Sequence, residues 1–251
     1  MTRERGPSGG AGEDRSLQWP GCFNVRDLGG LRARGGRRVA RGALVRADSL
    51  HRLSAEGWRA LLEHGVRTVV DLRDERERYP DRAARPSAIA TLHLPLDSAR
   101  ARELGVRAHG GAPFGTPLYY RAHVLRFPEL SARVLAAIAR AQPGGVAVHC
   151  LAGRDRTGLL VMLALALVGV EADEIVADYQ LSHARLSALF ASLGQADQAP
   201  VIEAFLAERG TSAPELIAAT LASVDVESQL RAGGLSDSDV QALQARLLEP
   251  G

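Results

Sequence analysis

The chain has 251 residues, of which 46% are hydrophobic and 24% charged, and carries a formal net charge of +2. That is the make-up of an ordinary globular protein with enough length to bury a sizeable core, and so small a charge gives no reason to expect nucleic acid or a membrane surface as a partner. Two cysteines are too few for a disulfide framework, and no His/Cys cluster has zinc spacing, so a reducing compartment is expected and no metal site.

Residues 1–17 are polar and Gly-rich with almost nothing to bury, and read as a disordered leader before a single domain over 18–251. No apolar signal-peptide core is present, and the longest apolar run, Leu159 to Val170, is too short to span a bilayer. The expected location is cytoplasmic, with export lacking a classical signal left open. Phe23 to Gly30 mixes apolar anchors with an Arg–Asp pair and a Gly-Gly turn. Arg34 to Arg37 reads as a hairpin turn and Arg41 to Arg46 as its returning strand.

Ser54 is suited to capping a helix that carries Trp58, Leu61 and Leu62 and stops at Gly65. Val66 to Leu72 is β-branched and apolar, a buried strand, and the charge run Arg73 to Arg78 reads as a solvated helix start. Thr91 to Leu96 is a further strand with a break or edge at Pro95. Residues 98–117 show little periodicity, so they read as either a substrate-binding segment or a surface insertion. Helical patterns cover Leu118 to Arg140, restarting at Pro128, and everything after Gly169 reads helical, with one helix over Glu171 to Ser182 and a last one opening with Ser236 and Asp239, close to a capping box. Strands alternating with helices, then a helical tail, predict an α/β fold with a central, mostly parallel sheet flanked by helices.

The chemistry concentrates in Val146 to Gly158. A β-prone run ends in His149 and Cys150, a short loop follows, and Arg156-Thr157-Gly158 opens a long apolar helix. Cys150 then sits at a helix N-terminus, facing the backbone N–H groups of Leu151, Ala152, Gly153, Arg154, Asp155 and Arg156. Those dipoles favour a thiolate and suit the oxygens of a phosphate, and Gly153 permits the tight turn that aims them inward. Thr157 can donate its hydroxyl to the same sulfur. Arg156 adds a planar fork that pairs with two phosphate oxygens and stays charged, so the loop neutralises a phosphate without metal or cofactor. Attack by Cys150 to give a cysteinyl-phosphate, followed by hydrolysis, is the chemistry this supports. The leaving oxygen needs a proton, for which Asp155, Asp97, Asp27 and Asp71 are candidates. A Cys with an Arg six positions on is weak evidence among 31 basic residues, all arginine; the loop's other residues and its strand and helix flanks carry the case.

His149 to Gly158 resembles the phosphate-binding loop of cysteine-dependent protein tyrosine phosphatases, most closely an atypical bacterial group of them. Three further stretches match that group: Asn24 to Gly30, Val70 to Arg73 with Glu77, and Asp178 to Ser182. The likeness runs from about residue 19 to the C-terminus. It implies the tyrosine-phosphatase-like fold and dephosphorylation of phosphotyrosine, with phosphoserine, phosphothreonine or phosphoinositides as further substrates. By position it makes Cys150 the nucleophile, Arg156 the clamp, and Asp155 the general acid, with Leu151 to Arg154, Thr157 and Gly158 holding the phosphate. The group usually has Lys where this chain has Arg154, and often Phe where it has Val25. Competing readings are a rhodanese-type sulfurtransferase and a non-catalytic phospho-binding module; the Thr157-Gly158 helix start and the outer motifs argue against the first.

Overall fold

The structure, a computed structural model, describes residues 15–108, 110 and 115–250. β3 (Val66–Asp71) and β5 (Gly145–His149) are apolar and β-branched and lie buried side by side in parallel at the sheet's centre. β2 (Leu44–Ala47) pairs in parallel with β5, and β4 (Ala90–His93) with β3. β1 (Arg26–Asp27) adds antiparallel to β2, giving the order β1-β2-β5-β3-β4. This is the expected mostly parallel sheet.

Alternate side chains of these strands feed two cores. Val70, Val146 and Val148 join Leu72 and the helix after β5 on one face, while Val45, Val69 and Ala147 pack with Trp19, Trp58 and Leu61 on the other. Both faces being covered is what allows near-continuous apolar strands. The C-terminal ends of β2, β5 and β3 meet at one edge, with β5 between the other two. Open parallel sheets bind ligands at such an edge.

The helix α1 (Ala55–Glu63) begins as expected, with Ser54 Oγ accepting from the Gly57 N–H. Residues 98–117 depart from the aperiodic loop expected there: α2 (Ala99–Ala108) occupies half of the stretch. It is held by an N-terminal Ser98 Oγ that accepts from Ala101 N–H and by ion pairs of Arg102 with Asp74 and Arg107 with Glu103. Only Ala101 is buried, so no apolar period betrays the helix. Residues 109 and 111–114 of that stretch lie outside the described residues.

α3 (Tyr120–Arg126) and α4 (Pro128–Ala139) follow, then α5 (Asp155–Leu167), which is apolar all round and buried beneath the sheet. α6 (Ala172–Ser192) runs ten residues past the expected Ser182, because Leu186, Leu189 and Phe190 cover Phe23 and Ala152. α7 (Ala199–Ala207), α8 (Ala213–Ser223), α9 (Val226–Ala232) and α10 (Asp237–Leu247) complete the helical tail. Ser236 and Asp239 form the expected capping box on α10. No helix among the described residues is long and apolar enough to cross a membrane.

Two charged features depart from expectation. The run Arg73 to Arg78 is a short turn (Glu75–Glu77) rather than a solvated helix start, and Arg73 is buried against Asp71 (2.7 Å). Of the expected leader, 1–17, positions 1–14 lie outside the described residues. Arg15 is buried and bonds Asp178 (2.9 Å), and Ser16 bridges to Arg26.

Asp178 of α6 is shared by Arg15, Arg26 (2.9 Å) and Arg46 (2.7 Å), all essentially excluded from solvent. Burial alone would raise its pKa, but the guanidiniums of Arg26, Arg46 and Arg15 hold it well below the usual carboxylate range. Burial and the neighbouring Arg46 bring Arg26 down to about 9 against the pull of Asp178. Removing the shared anion strands like charges in the interior. Asp178→Asn is therefore expected to lose about 3–5 kcal/mol of stability in urea denaturation at neutral pH.

Candidate active site

Cys150 follows β5 directly and is 3% exposed, at the point where the strand ends converge. The loop beyond it is shaped by what its carbonyls bond. Cys150 C=O accepts from His149 Nδ1 (3.1 Å), Leu151 C=O from Ser49 N–H (3.0 Å), and Ala152 C=O from Asn24 Nδ2 (3.0 Å). Gly153 C=O accepts from Arg46 Nη2 (2.8 Å), Arg154 C=O from Gly158 N–H (2.8 Å), and Asp155 C=O from Tyr120 Oη (2.6 Å). Six consecutive carbonyls are turned away from the loop's centre. The amides of Leu151 to Arg156 donate to no protein acceptor among the described residues. A ring of such N–H groups at a helix start is an anion cradle. Gly153 makes it possible: its φ is +68°, and a Cβ there would stand 2.4 Å from Ala47 O.

Arg156 leans over this ring. Glu77 grips it with both carboxylate oxygens, Nη2 to Oε1 at 2.7 Å and Nη1 to Oε2, while Asp97 Oδ2 lies 3.3 Å from Nη1. Burial works to lower the Arg156 pKa, but Glu77, Cys150 and Asp97 raise it well above its ordinary value. Glu77 is itself fixed by the Asp74 N–H (2.9 Å). Burial would lift the Glu77 pKa, yet Arg156 holds it below normal. At Asp97 burial wins, and the carboxyl is pushed up despite Arg156.

Arg154 is buried and engaged by the protein through Nε and Nη2. Its Nε is 3.3 Å from Asp155, and its Nη2 donates to Gly115 O (3.3 Å) and Gln198 Oε1 (3.5 Å). Gly115 presses on Asp155 so closely that a Cβ would lie 2.6 Å from the carboxyl carbon. Beyond Arg154 opens a cavity of about 440 Å³ lined by Tyr179, Leu186, Ile202, Leu206 and Pro214. Thr157 keeps a buried hydroxyl with no protein partner directly beneath the loop. His149 is brought down to about 4 by burial, only partly offset by Asp71 at 3.8 Å, so it is neutral at pH 7. Its Nδ1–H faces a carbonyl, which makes it an orienting group.

The structure thus brings together Cys150, Leu151, Ala152, Gly153, Arg154, Asp155, Arg156, Thr157 and Gly158, with Asp97 beside them. Two of the four acid candidates do not join. Asp27 caps Gly29 and Gly42 and meets His64 (3.2 Å), and Asp71 is spent on Arg73. Cys22 donates its thiol to Asp48 (2.6 Å), and burial with that carboxylate pushes its pKa well up, the reverse of a reactive thiol.

Four contributors had escaped notice. Arg46 is hidden in a sequence where every cation is arginine, and Ser49 acts through its backbone. Tyr120 reaches the loop from α3. Tyr119 is buried where Asp155, Asp97, Arg156 and Cys150 all act on it; burial first, then those two carboxylates, raise its pKa. Both tyrosines lie in the stretch read as helical, and a helical pattern says nothing of which residues reach the loop.

Residues 17–249 match the model of the tyrosine phosphatase family. A protein named "Putative tyrosine-protein phosphatase" from Cupriavidus necator is 35% identical over 166 residues, which covers 64% of this chain and 61% of that protein. The triple specificity protein phosphatase PtpB of Mycobacterium tuberculosis is 28% identical over 277 residues, covering 91% of this chain and 98% of PtpB. A tyrosine-protein phosphatase of Nostoc commune is 33% identical over 142 residues, covering 56% and 48%. The match therefore spans less than two thirds of the first and third relatives and nearly the whole of the second. With its family model covering almost the full described chain, this protein belongs to the tyrosine phosphatase family.

Proposed function

We propose that this chain hydrolyses phosphotyrosine in protein substrates through a cysteinyl-phosphate on Cys150. The observation that carries the reading is the ring of inward amides from Leu151 to Arg156 around a cysteine, with Arg156 at its rim. The Cys150 thiolate attacks phosphorus as the bond to the tyrosyl oxygen breaks. The amides and Arg156 hold the three equatorial oxygens, over which charge is spread in the transition state. A carboxylic acid gives the leaving oxygen its proton, and the resulting carboxylate later takes one from the water that frees inorganic phosphate.

Asp155 is the acid in this reading, as the family likeness implies. A specific observation favours Asp97 as the alternative: it lies against Arg156 and burial pushes its carboxyl pKa up, whereas Asp155 faces Arg154. The engagement of Arg154 Nε and Nη2 by Asp155, Gly115 and Gln198 supports a monophosphate substrate over a phosphoinositide, since those donors are committed within the protein. Cys22 and Cys150 are both free thiols, which suits a reducing compartment such as the cytoplasm.

Cys150→Ser is expected to abolish hydrolysis of p-nitrophenyl phosphate in the absence of added metal, a loss of at least about 10³-fold. A thiosulfate:cyanide assay run alongside distinguishes the sulfurtransferase alternative. In pH–rate profiles, Asp155→Asn should flatten the basic limb and slow substrates with poor leaving groups by roughly 10²-fold. The sign follows from the role: the acid works protonated, so the rate falls as pH rises through its pKa. If Asp97→Asn flattens that limb instead, the acid is Asp97. Gly153→Ala combines a strained φ with a clash against Ala47, so it should lose about 1–3 kcal/mol of stability and nearly all turnover, read by thermal unfolding and the same assay.

A further inference from the structure

One face of α3 reaches the site at two places. Tyr120 Oη donates to the Asp155 C=O at 2.6 Å. Three residues on, His123 Nε2 stands 3.2 Å from the Leu96 C=O, an atom that can only accept. Positions three apart share a helix face, so both bonds leave the helix on the same side. Leu96 precedes Asp97. A single short helix is thus bonded to the backbone of one acid candidate and to the residue before the other. Tyr120 and His123 are wholly buried and act from behind the loop, out of reach of a substrate.

The bond to Asp155 carries more weight because of where that residue sits. Asp155 opens α5, and Arg154 before it makes no side-chain cap. An uncapped first turn is the least restrained part of a helix. The carboxylate is itself loosely held, with Arg154 Nε 3.3 Å from both oxygens. The short contact is the one at the backbone. The tyrosine that makes it is pinned in turn, edge-on to Tyr119 with centroids 5.2 Å apart and edge-on to Tyr179 at 6.4 Å. Gly158 leaves the hydroxyl room: a Cβ there would stand 2.7 Å from Tyr120 Oη and 2.9 Å from the Tyr179 ring. Burial raises the Tyr120 pKa well above its ordinary value, so the hydroxyl keeps its proton and stays a donor.

We propose that Tyr120 is a positioning residue for proton transfer, holding the first turn of α5 so that the Asp155 carboxyl meets the leaving oxygen. The inference rests on the phosphatase reading with Asp155 as the acid, and adds how that acid is aimed. As the P–O bond breaks, its electron pair passes to the ester oxygen, which takes the proton of Asp155; Tyr120 gives up none. The acid must stand within hydrogen-bond reach of that oxygen, so a small displacement of its backbone is costly.

The test reads kcat/KM, which ends with phosphoryl transfer to Cys150, on phenyl phosphate and p-nitrophenyl phosphate. Phenolate is the poorer leaving group and depends more on the acid. Tyr120→Phe, which removes only the hydroxyl, should lower the phenyl:p-nitrophenyl ratio roughly five- to tenfold. Tyr120→Met, which fills the same space without a hydroxyl, should do the same. His123→Phe breaks an equally buried bond of the same helix and should move the ratio by less than about twofold. Combined with Asp155→Asn, Tyr120→Phe should lower it no further, since both changes act on one proton. An equal loss on both substrates overturns the proposal, as does a further fall in the double variant. A ratio that drops in His123→Phe and holds in Tyr120→Phe also overturns it. If Asp155→Asn itself leaves the ratio unchanged, the acid assignment fails and takes this inference with it. A ratio sensitive to Asp155→Asn and indifferent to Tyr120→Phe sinks the tether alone.

Discussion

The outward turn of six consecutive carbonyls, Cys150 to Asp155, is the constraint on which the rest of this structure depends. A backbone polar group withdrawn from water needs a partner, and here each of the six carbonyls has one, four of them from elsewhere in the chain and two from His149 and Gly158. The amides face the other way as a consequence. The donors come from far apart in the chain: Asn24 before β1, Arg46 in β2, Ser49 after it, Tyr120 on α3 and His149 on β5. Bringing them to one place is what the sheet order does, since β5 ends between β2 and β3. The fold is in this sense a frame for holding a loop inside out.

Arg46 connects that frame to the deepest charge cluster. One of its Nη groups holds Gly153 C=O and the other is bound by Asp178 on α6. Asp178 must also serve Arg26 and Arg15, so the ensemble carries more guanidinium than carboxylate. A surplus of positive charge beneath a loop of inward N–H groups adds to the field that favours an anion above it. The same cluster ties Arg15, near the start of the described residues, to α6.

Much of this could be read from residue types. The apolar stretches around His149-Cys150 and after Arg156 announced a strand, a turn and a helix, and Gly153 announced a left-handed position. Ser54 and the Ser236/Asp239 pair marked helix starts for the same local reason: a cap acts within a few residues of its own position. What stayed hidden was long-range or side-chain specific. α2 is held by ion pairs and a cap, so it carries no hydrophobic period. Arg73 is charged yet buried, and only the distant Asp71–Ser49–Glu77 arrangement makes that tolerable. Arg46 was indistinguishable from thirty other cations, since its role lies in where β2 places it.

The geometry of Arg156 links the clamp to the question of the acid. A guanidinium has five N–H donors in a fixed plane. Glu77 takes one from each terminal nitrogen, end on, which fixes the plane and leaves free the edge formed by Nε and Nη2. That edge is the one able to make a bidentate contact with a phosphate. Asp97 Oδ2 lies 3.3 Å from Nη1 as an ion pair. A dianion arriving at the free edge would bring negative charge beside both carboxylates, and the two respond differently. Glu77 is held low by two direct bonds and stays ionised, keeping the fork in place. Asp97, already lifted by burial, is the one that a further negative neighbour would drive toward protonation. Binding of substrate and readiness of a proton are then coupled through a single guanidinium, one face clamped by an anion and the other beside a carboxyl that titrates.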